Sequence, residues 1–273
     1  MRSDSLPNLI LIKRPKGRTR DFEISRLNNP NESKKFLGSF FSRNEKVRPK
    51  AIVERLIEQN PYTVDRTCVD YRPLFKRALL EELKKFGSRG HWLDCGAGEG
   101  LAQLQRAGWP KAVQTRRPLP RMTSISFRVS AGVPQNFGEK YRMLSGRKFE
   151  TLSLAKIGPA NLITDYTGVL TYTTTIDFVL KKYFKLLTRS GRILLHAPFK
   201  KTFVRLKNGQ LVTLEQWLSR LIGVHCVVQK MRGQFSGESV VFLKRARGPL
   251  KIPKLKLKAA KHDFYLYRYF EEV

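Results

Sequence analysis

The sequence predicts a mixed α/β fold that is built on a mostly parallel sheet and carries basic extensions at both ends. Short apolar runs alternate with helical patterns between residues 70 and 245, and 41% of all residues are hydrophobic. The last two apolar runs are joined by a short loop that contains glycines. Alternation of strands with helices is typical of parallel sheets, and this share of apolar residues is enough to bury a core.

Residues 1–69 are predicted to form a basic N-terminal arm and a helical region. The first 50 residues contain 13 Lys or Arg against 5 Asp or Glu, with no long periodicity. From Pro49 to Pro61 apolar residues recur at helical spacing, which predicts a helix.

A second helix is predicted from Pro73 to Phe86, because its apolar residues line one face and Gly87 stands where a C-terminal cap is expected.

Residues 70–245 are predicted to form one α/β domain. The predicted strands are His91–Cys95, Thr123–Val129, Asn161–Asp165, Arg192–Ala197, Cys226–Met231 and Ser239–Leu243. The predicted helices between them are Gly100–Ala107, Ile176–Leu187 and Thr213–Leu221. Each of these helices can return the next strand parallel to the previous one. The short loop through Gly233 and Gly237 predicts that the last two strands form an antiparallel pair at one end of the sheet.

Residues 246–273 are predicted to form a basic, aromatic C-terminal tail. Residues 244–261 contain eight Lys or Arg and no acid, and Gly248, Pro249 and Pro253 oppose regular structure, so a mobile or extended segment is expected. The tail ends in an aromatic cluster of Phe264, Tyr265, Tyr267, Tyr269 and Phe270. Docking of this cluster onto the domain is favoured over stacking on nucleic-acid bases, because burial is the commoner use of aromatic area.

The charge of the chain favours a polyanionic partner. The sequence has 53 Lys or Arg and 22 Asp or Glu, a formal net charge of +31. Neutralising phosphates releases condensed counterions, so RNA or DNA is the partner that this charge predicts. Anionic membrane surfaces and acidic proteins are alternatives, as is a solvated basic surface with no specific partner.

The three cysteines, Cys68, Cys95 and Cys226, lie far apart and show neither metal-binding nor disulfide-scaffold spacing. The four histidines show no ligand spacing either, so no metal site is predicted. No stretch approaches the ~20 apolar residues that a membrane span needs. Together these features predict a soluble protein of the cytoplasm.

The strongest local motif is the stretch His91–Gly100, in which a short apolar strand runs into a glycine-rich turn before a helix. Such a turn lets a ligand approach the backbone closely. Its spacing is GxGxG, whereas the dinucleotide fingerprint is GxGxxG, and Leu101 stands at the position of the third glycine. The turn also lacks the Gly-Lys-Ser or Gly-Lys-Thr of a phosphate-binding loop.

At these residues the chain resembles the class I S-adenosylmethionine-dependent methyltransferases, whose first motif is an acidic residue followed by GxGxG. Residues 161–166 resemble the fourth strand and active-site loop of that family, residues 189–195 resemble its turn into strand five, and the resemblance covers roughly residues 70–245. It implies a Rossmann-like methyltransferase fold and S-adenosylmethionine as cofactor. Asp94 would hold the amino end of the cofactor, and Gly96 and Gly98 would leave room for its methionine part. The implied cofactor-binding residues are Asp94, Cys95, Gly96, Ala97, Gly98, Gly100, Asp165 and Tyr166.

Two segments depart from the pattern of that family. Where strand two usually ends in an acid that binds the ribose, this chain has Ser126, Phe127 and Arg128. Where an acid often follows strand three, residues 145–148 read Ser-Gly-Arg-Lys. These departures favour an alternative interpretation, a methyltransferase-like nucleic-acid-binding protein without catalysis.

A weaker resemblance is to the FtsJ-like RNA ribose 2′-O-methyltransferases, which use a Lys-Asp-Lys-Glu tetrad. It implies Lys76, Asp165 and Glu238 as catalytic residues and RNA as the acceptor. The second lysine has no match, since residues 196–198 read His-Ala-Pro at that point. The alternative for all three residues is an ordinary surface or turn position. A methyltransferase acting on a small molecule or a protein is the remaining alternative.

Overall fold

The computed structural model describes residues 68–109, 119–126, 133–197, 199–231, 238–261 and 266–272. The predicted basic arm and the helix predicted from Pro49 to Pro61 lie outside these residues. In the described part of the chain, no helix is both long enough and apolar enough to cross a membrane. The cytoplasmic location stays a prediction.

The described ranges contain helices and strands in the following order. They are α1 (Cys68–Phe86), β1 (His91–Cys95), α2 (Leu101–Ala107), β2 (Arg121–Ile125), β3 (Asn136–Phe137), β4 (Tyr141–Leu144), α3 (Leu154–Ile157), β5 (Ala160–Tyr166), α4 (Val169–Tyr172) and α5 (Ile176–Leu186). After these come β6 (Leu187–His196), β7 (Thr202–Arg205), β8 (Leu211–Thr213), α6 (Leu214–Leu218), β9 (Val224–Lys230), β10 (Ser239–Arg245), β11 (Leu255–Lys261) and β12 (Leu266–Glu271).

The larger sheet has eight strands in the order β3-β4-β2-β1-β5-β6-β10-β9. The five central strands from β4 to β6 are parallel, and β10 is antiparallel to both of its neighbours. The chain builds the sheet outward from β1 in one direction through β2 and β4, and in the other through β5 and β6. This order, with one antiparallel strand inserted near the edge, is that of the Rossmann-like methyltransferase fold, and the predicted fold class is confirmed.

Helices cover both faces of this sheet, because its central strands are apolar on both sides. Trp92 and Leu162 belong to the buried cluster that packs against α1 and α2. Their strand neighbours Leu93 and Ile163 belong to the opposite cluster, which contains the apolar face of α5. The carboxyl ends of the strands are therefore held in a rigid three-layer core.

Within the predicted C-terminal tail, the described residues form two strands of a second sheet. Its strand order is β11-β12-β7-β8, and β12 lies parallel to β7. Tyr269 of β12 is fully buried and its hydroxyl donates to the carbonyl oxygen of Thr173 at 3.1 Å. Docking of the aromatic cluster is confirmed for this residue, whereas Phe264 and Tyr265 lie outside the described residues.

Candidate functional site

The carboxyl ends of the parallel strands meet at one edge of the larger sheet. Cys95 ends β1, and Tyr166 at the end of β5 pairs with His196 at the end of β6. β10 is antiparallel to β6, so Glu238, the residue before β10, lies at this same edge. In open α/β sheets ligands bind at this edge, beside the point where the strand order reverses, which here lies between β1 and β5.

Asp94 lies fully buried in a network that joins β1, β5 and α1. The Tyr71 hydroxyl donates to both carboxylate oxygens, at 2.8 and 2.7 Å, and the Thr164 hydroxyl donates to Oδ1 at 2.8 Å. Trp92 Nε1 donates in turn to the Thr164 hydroxyl oxygen at 2.8 Å. Cys95 is buried as well, and its burial raises the pKa of the thiol well above its usual range. These bonds fix the orientation of the Asp94 carboxylate.

Three glycines shape the turn that follows β1. Gly96, Gly98 and Gly100 have φ angles of 90°, 58° and 75°, a region in which a side chain is strained. The amides of Gly96 and Ala97 both donate to the carbonyl oxygen of Ile125 at 3.1 Å. Among the described residues, no acceptor takes the amide of Gly98. The amide of Gly98 is therefore not taken up by this turn.

Packing inside the chain also requires two of these glycines. A Cβ atom on Gly96 would lie 2.1 Å from the Cα atom of Gly168, in the turn after β5. A Cβ atom on Gly100 would lie 2.2 Å from Tyr141 Oη and 2.8 Å from Ser124 Oγ. The Tyr141 hydroxyl that packs against Gly100 is buried, and this burial raises its pKa to about 12. Gly96 and Gly100 are thus explained by packing within the chain.

Carboxylates are missing where the resemblance would place them on the nucleoside side of the turn. No Asp or Glu occurs from residue 100 to residue 138. Ser126, which follows β2, is buried, and its amide donates to the carbonyl oxygen of Leu144 at 3.1 Å. After β4, Arg147 and Lys148 are exposed. The residues present therefore fit the methionine side of an S-adenosylmethionine site and depart from the family at the ribose.

The Asp165 carboxylate holds the turn after β5. Its Oδ1 accepts from the amide of Gly168, and its Oδ2 accepts from the amide of Leu170, each at 2.8 Å. The Tyr183 hydroxyl of α5 donates to Oδ2 at 2.6 Å. Burial raises the pKa of Asp165 to about 6, and the hydrogen bonds that it accepts limit the rise. With these contacts the side chain is suited to fixing the turn, and Tyr166 and Thr167 with it.

Tyr166 lies half-buried at the centre of an aromatic cluster. Its ring meets those of Tyr71 and Phe75 edge to face, with centroids 5.6 and 6.3 Å apart. It meets the His196 ring at 5.2 Å and 90°. Tyr166 therefore connects the Asp94 network on one side with the end of β6 on the other.

A second polar group at the edge consists of Thr167, His196 and Glu238. The Thr167 hydroxyl lies 3.1 Å from His196 Nδ1, and His196 Nε2 lies 2.6 Å from a Glu238 carboxylate oxygen. The amide of Thr167 also donates to the His196 carbonyl oxygen at 2.6 Å. The His196 side chain is 11% exposed, and that of Glu238 is 51% exposed. The middle of this group, His196, is thus largely buried, whereas Thr167 is half-buried and Glu238 reaches solvent.

The structure describes the side chains of two of the three residues predicted as catalytic. Asp165 bonds its own turn and α5, whereas Glu238 bonds His196. Lys76 lies in α1, and its side chain is outside the described part of the chain. His196 and Thr167 were not among the predicted site residues, although each stands at the carboxyl end of a parallel strand, and that position alone could have indicated them.

Comparison with known proteins gives likenesses of structure alone. No protein-family model and no curated protein matches the sequence. The 1,6-didemethyltoxoflavin-N1-methyltransferase of Burkholderia thailandensis, solved with 1,6-didemethyltoxoflavin and S-adenosylhomocysteine, is 17% identical, with 74% of this chain and 92% of that chain covered and a TM-score of 0.48. The plantazolicin methyltransferase BpumL, solved with a triazolic desmethylPZN analog and S-adenosylhomocysteine, is 12% identical, with 83% and 95% covered and a TM-score of 0.43. Both are methyltransferases, the class that the motifs of this chain resemble.

Proposed function

We propose that this protein is an S-adenosylmethionine-dependent methyltransferase. The observation that carries the proposal is the position of the turn Gly96–Gly100 at the carboxyl end of β1, beside the reversal of strand order in a sheet whose β10 is antiparallel. Ligands of open α/β sheets bind at such a point. The same edge carries a histidine and a carboxylate at the end of neighbouring strands, the residue types that move a proton from an acceptor.

The predicted cofactor residues take different parts in this proposal. Gly98 offers its amide to the methionine end, and Asp94 holds the amino group either directly or through the network that orients it. Asp165 acts through the turn that it fixes, and Tyr166 forms the wall between cofactor and acceptor. When bound, the cofactor supplies a methyl group on a sulfonium, and the chain supplies position, which can account for much of the rate. Ser126 or nearby backbone groups would bind the ribose in place of a carboxylate.

Isothermal titration with S-adenosylmethionine and S-adenosylhomocysteine tests the proposal. We expect saturable binding by the wild type and a loss of about tenfold or more (about 1.4 kcal/mol) in Gly98→Ala, because a side chain at a φ of 58° strains the turn that holds the ligand. The matched control is Gly209→Ala, since Gly209 also has a positive φ, of 82°, and nothing lies within 4 Å of its added Cβ. The absence of both heat and a thermal shift at saturating cofactor would refute the proposal.

A second candidate function is a nucleic-acid-binding protein of this fold that does not bind the cofactor. The missing carboxylates at Ser126 and after β4 favour it. The substitution Ser126→Asp separates the two candidates, because a new carboxylate at a real ribose site adds charge-assisted hydrogen bonds. In a methyltransferase it tightens cofactor binding, whereas in a protein without a cofactor site it leaves the titration flat.

As the acceptor we propose RNA, on the strength of the charge of +31 and of one face of the second sheet. On this face Phe270 of β12 lies opposite Lys256 of β11 on one side and opposite Arg205 of β7 on the other. The guanidinium of Arg205 lies 5.4 Å and Lys258 Nζ lies 5.5 Å from the centre of the Phe270 ring. We call these four residues the basic face. An aromatic ring between cations is the arrangement that holds single strands by stacking and charge.

Fluorescence anisotropy with an unstructured RNA oligonucleotide tests the acceptor class. Lys256→Ala/Lys258→Ala is expected to weaken binding and to reduce its salt dependence, and Phe270→Ala is expected to cost about 1–3 kcal/mol per stacked base. The control Lys84→Ala/Lys140→Ala removes the same charge from exposed positions elsewhere. An equal loss in control and basic-face variants would contradict RNA binding by this face. Transfer of tritiated methyl to small molecules or proteins but not to RNA would contradict the acceptor class.

A further inference from the structure

Thr167, His196 and Glu238 form a hydrogen-bonded row at the edge that carries the proposed site. The short contact of 2.6 Å between His196 Nε2 and the Glu238 carboxylate places the ring proton on Nε2 when the imidazole is neutral. Nδ1 then carries the lone pair, and the Thr167 hydroxyl at 3.1 Å donates to it. The row therefore runs in one direction, from a hydroxyl through a base to a carboxylate.

The backbone at Thr167 is an independent sign of function. Its φ is 47°, the one positive value at a residue other than glycine among the described residues. Such a conformation is unfavourable for a β-branched side chain, and strain of this kind persists where the surroundings fix it. Here Asp165 anchors both sides of the turn, through the amides of Gly168 and Leu170. The chain accepts this strain at the residue whose hydroxyl meets His196.

The same three residue types serve acyl transfer in other enzymes, and the structure argues against that use here. A nucleophilic hydroxyl needs an oxyanion hole, often built from the amide of the following residue. That amide belongs to Gly168 and donates to Asp165. The amide of Thr167 itself donates to the carbonyl oxygen of His196. Both local donors are therefore engaged within the chain.

We propose that Thr167, His196 and Glu238 relay the proton of an acceptor hydroxyl during methyl transfer, an inference that rests on the proposed function. The acceptor oxygen attacks the methyl carbon, the carbon–sulfur bond breaks, and its electron pair stays on sulfur. The acceptor proton passes to the Thr167 oxygen while the Thr167 proton passes to His196 Nδ1. The Glu238 carboxylate balances the imidazolium charge and accepts the Nε2 proton, which it then releases to solvent.

This row identifies the class of acceptor as a hydroxyl. A ribose or other alcohol hydroxyl is a weak nucleophile and gains from a base within reach. The Tyr166 ring meets the His196 ring at 90°, with centroids 5.2 Å apart, and in this scheme an acceptor ring packed beside Tyr166 presents its hydroxyl to Thr167. Thr167 touches the acceptor in this scheme, whereas Glu238 acts through His196 as a positioning residue.

Rate measurements on paired variants test the relay in the full-length protein. With tritiated cofactor and an RNA transcript as acceptor, Thr167→Val and His196→Asn are expected to lower kcat by about 100-fold or more, with unchanged cofactor affinity. Thr167→Ser keeps the hydroxyl and is expected to restore most of the rate. Glu238→Gln is expected to lower kcat at constant KM, and Glu238→Asp to recover part of it. Equal rates in Thr167→Val and Thr167→Ser would overturn the relay.

Nitrogen NMR of the histidine ring separates failure of the relay from failure of the proposed function. The relay requires His196 protonated at Nε2 and not at Nδ1 in the wild type, and a changed Nε2 resonance in Glu238→Gln. Protonation at Nδ1 would overturn the relay whether or not the cofactor binds. If His196 is protonated at Nε2 but the protein does not bind S-adenosylmethionine, the proposed function is wrong. The relay then has no role in methyl transfer.

Discussion

Gly96 and Gly168 touch backbone to backbone. A Cβ atom on Gly96 would lie 2.1 Å from the Cα of Gly168, and a Cβ atom on Gly168 would lie 2.5 Å from the Cα of Gly96. The first residue belongs to the turn after β1 and the second to the turn after β5. This contact joins the proposed cofactor side of the edge to the strained turn that carries Thr167.

We predict that Gly96→Ala destabilises the protein by about 1–3 kcal/mol more than Gly209→Ala. Both substitutions place a side chain at a positive φ, 90° and 82°, so both pay the same backbone strain. Only the first also meets backbone atoms within 3 Å. Urea unfolding of the two variants measures the difference, and equal midpoints would show that the contact is looser than the structure has it.

The pH dependence of stability is expected to reveal Asp165. Its pKa is about 6 in the folded chain against 3.8 for the ordinary carboxyl. Between these values the unfolded chain holds fewer protons, so stability falls as pH rises from 4 to 6, by an amount on the order of 3 kcal/mol. The variant Asp165→Asn lacks this titration. The stability of the wild type minus that of the variant should decrease over this window, and an increase would contradict the assignment.

His91 is expected to contribute with the opposite sign. Burial lowers its pKa from 6.5 to about 4, and the charges of Arg121 and Arg142 act in the same direction, whereas the hydrogen bond between Nδ1 and the carbonyl oxygen of Pro159 at 2.7 Å opposes the shift. The unfolded chain gains the proton first, so stability falls as pH drops from 6.5 to 4, by roughly 3 kcal/mol. The reference is His91→Gln. A wild-type advantage over this variant that stays constant from pH 7 to pH 4 would contradict the burial of a neutral imidazole.

Lys182 is expected to be a large contributor to stability. Its ammonium, on α5, donates to the carbonyl oxygens of Phe149 at 2.5 Å and Glu150 at 3.1 Å, and also to that of Leu152. Lys182→Met leaves these carbonyls without a donor, and we expect a loss of about 2–4 kcal/mol. The control Lys185→Met changes an exposed lysine on the same helix and should cost under ~0.5 kcal/mol. Similar losses in thermal melts would contradict the role of Lys182.

Much of the larger sheet could be predicted because its strands are apolar on both faces. β1 was placed at His91–Cys95, where the structure has it, and the apolar run of Asn161–Asp165 lies inside β5. The observed strand ends differ from the predicted ones where hydrogen bonding between strands, and not the apolar pattern, determines the end. β6 begins at Leu187, five residues before the predicted start at Arg192. Leu187 pairs with Ala160 and Arg192 pairs with Leu162, and the register of the two strands shifts between these pairs.

The second sheet was missed because charge outweighed periodicity in the interpretation of the C-terminus. Leu255 and Leu257 alternate with Lys256 and Lys258, a period of two that is typical of a half-buried strand. The lysines occupy the solvent face of the strand, while Leu255 packs into the core. A basic run with this alternation therefore indicates a strand, whatever its net charge.

The candidate site was predicted in part, according to how local each component is. The glycine turn follows one strand directly, so its residues could be named from the sequence. The row of Thr167, His196 and Glu238 joins three segments far apart in the chain, and only the register of β5, β6 and β10 brings them together. No spacing rule in the sequence encodes that register.

A crystal structure of the full chain with S-adenosylhomocysteine tests the central claim most directly. The account predicts density for the homocysteine portion against the amide of Gly98, the nucleoside beside Ser126, and the sulfur facing the space bordered by Tyr166 and Thr167. Crystals grown at saturating ligand in which no ligand density lies beside Gly98 or at this edge of the sheet would contradict it.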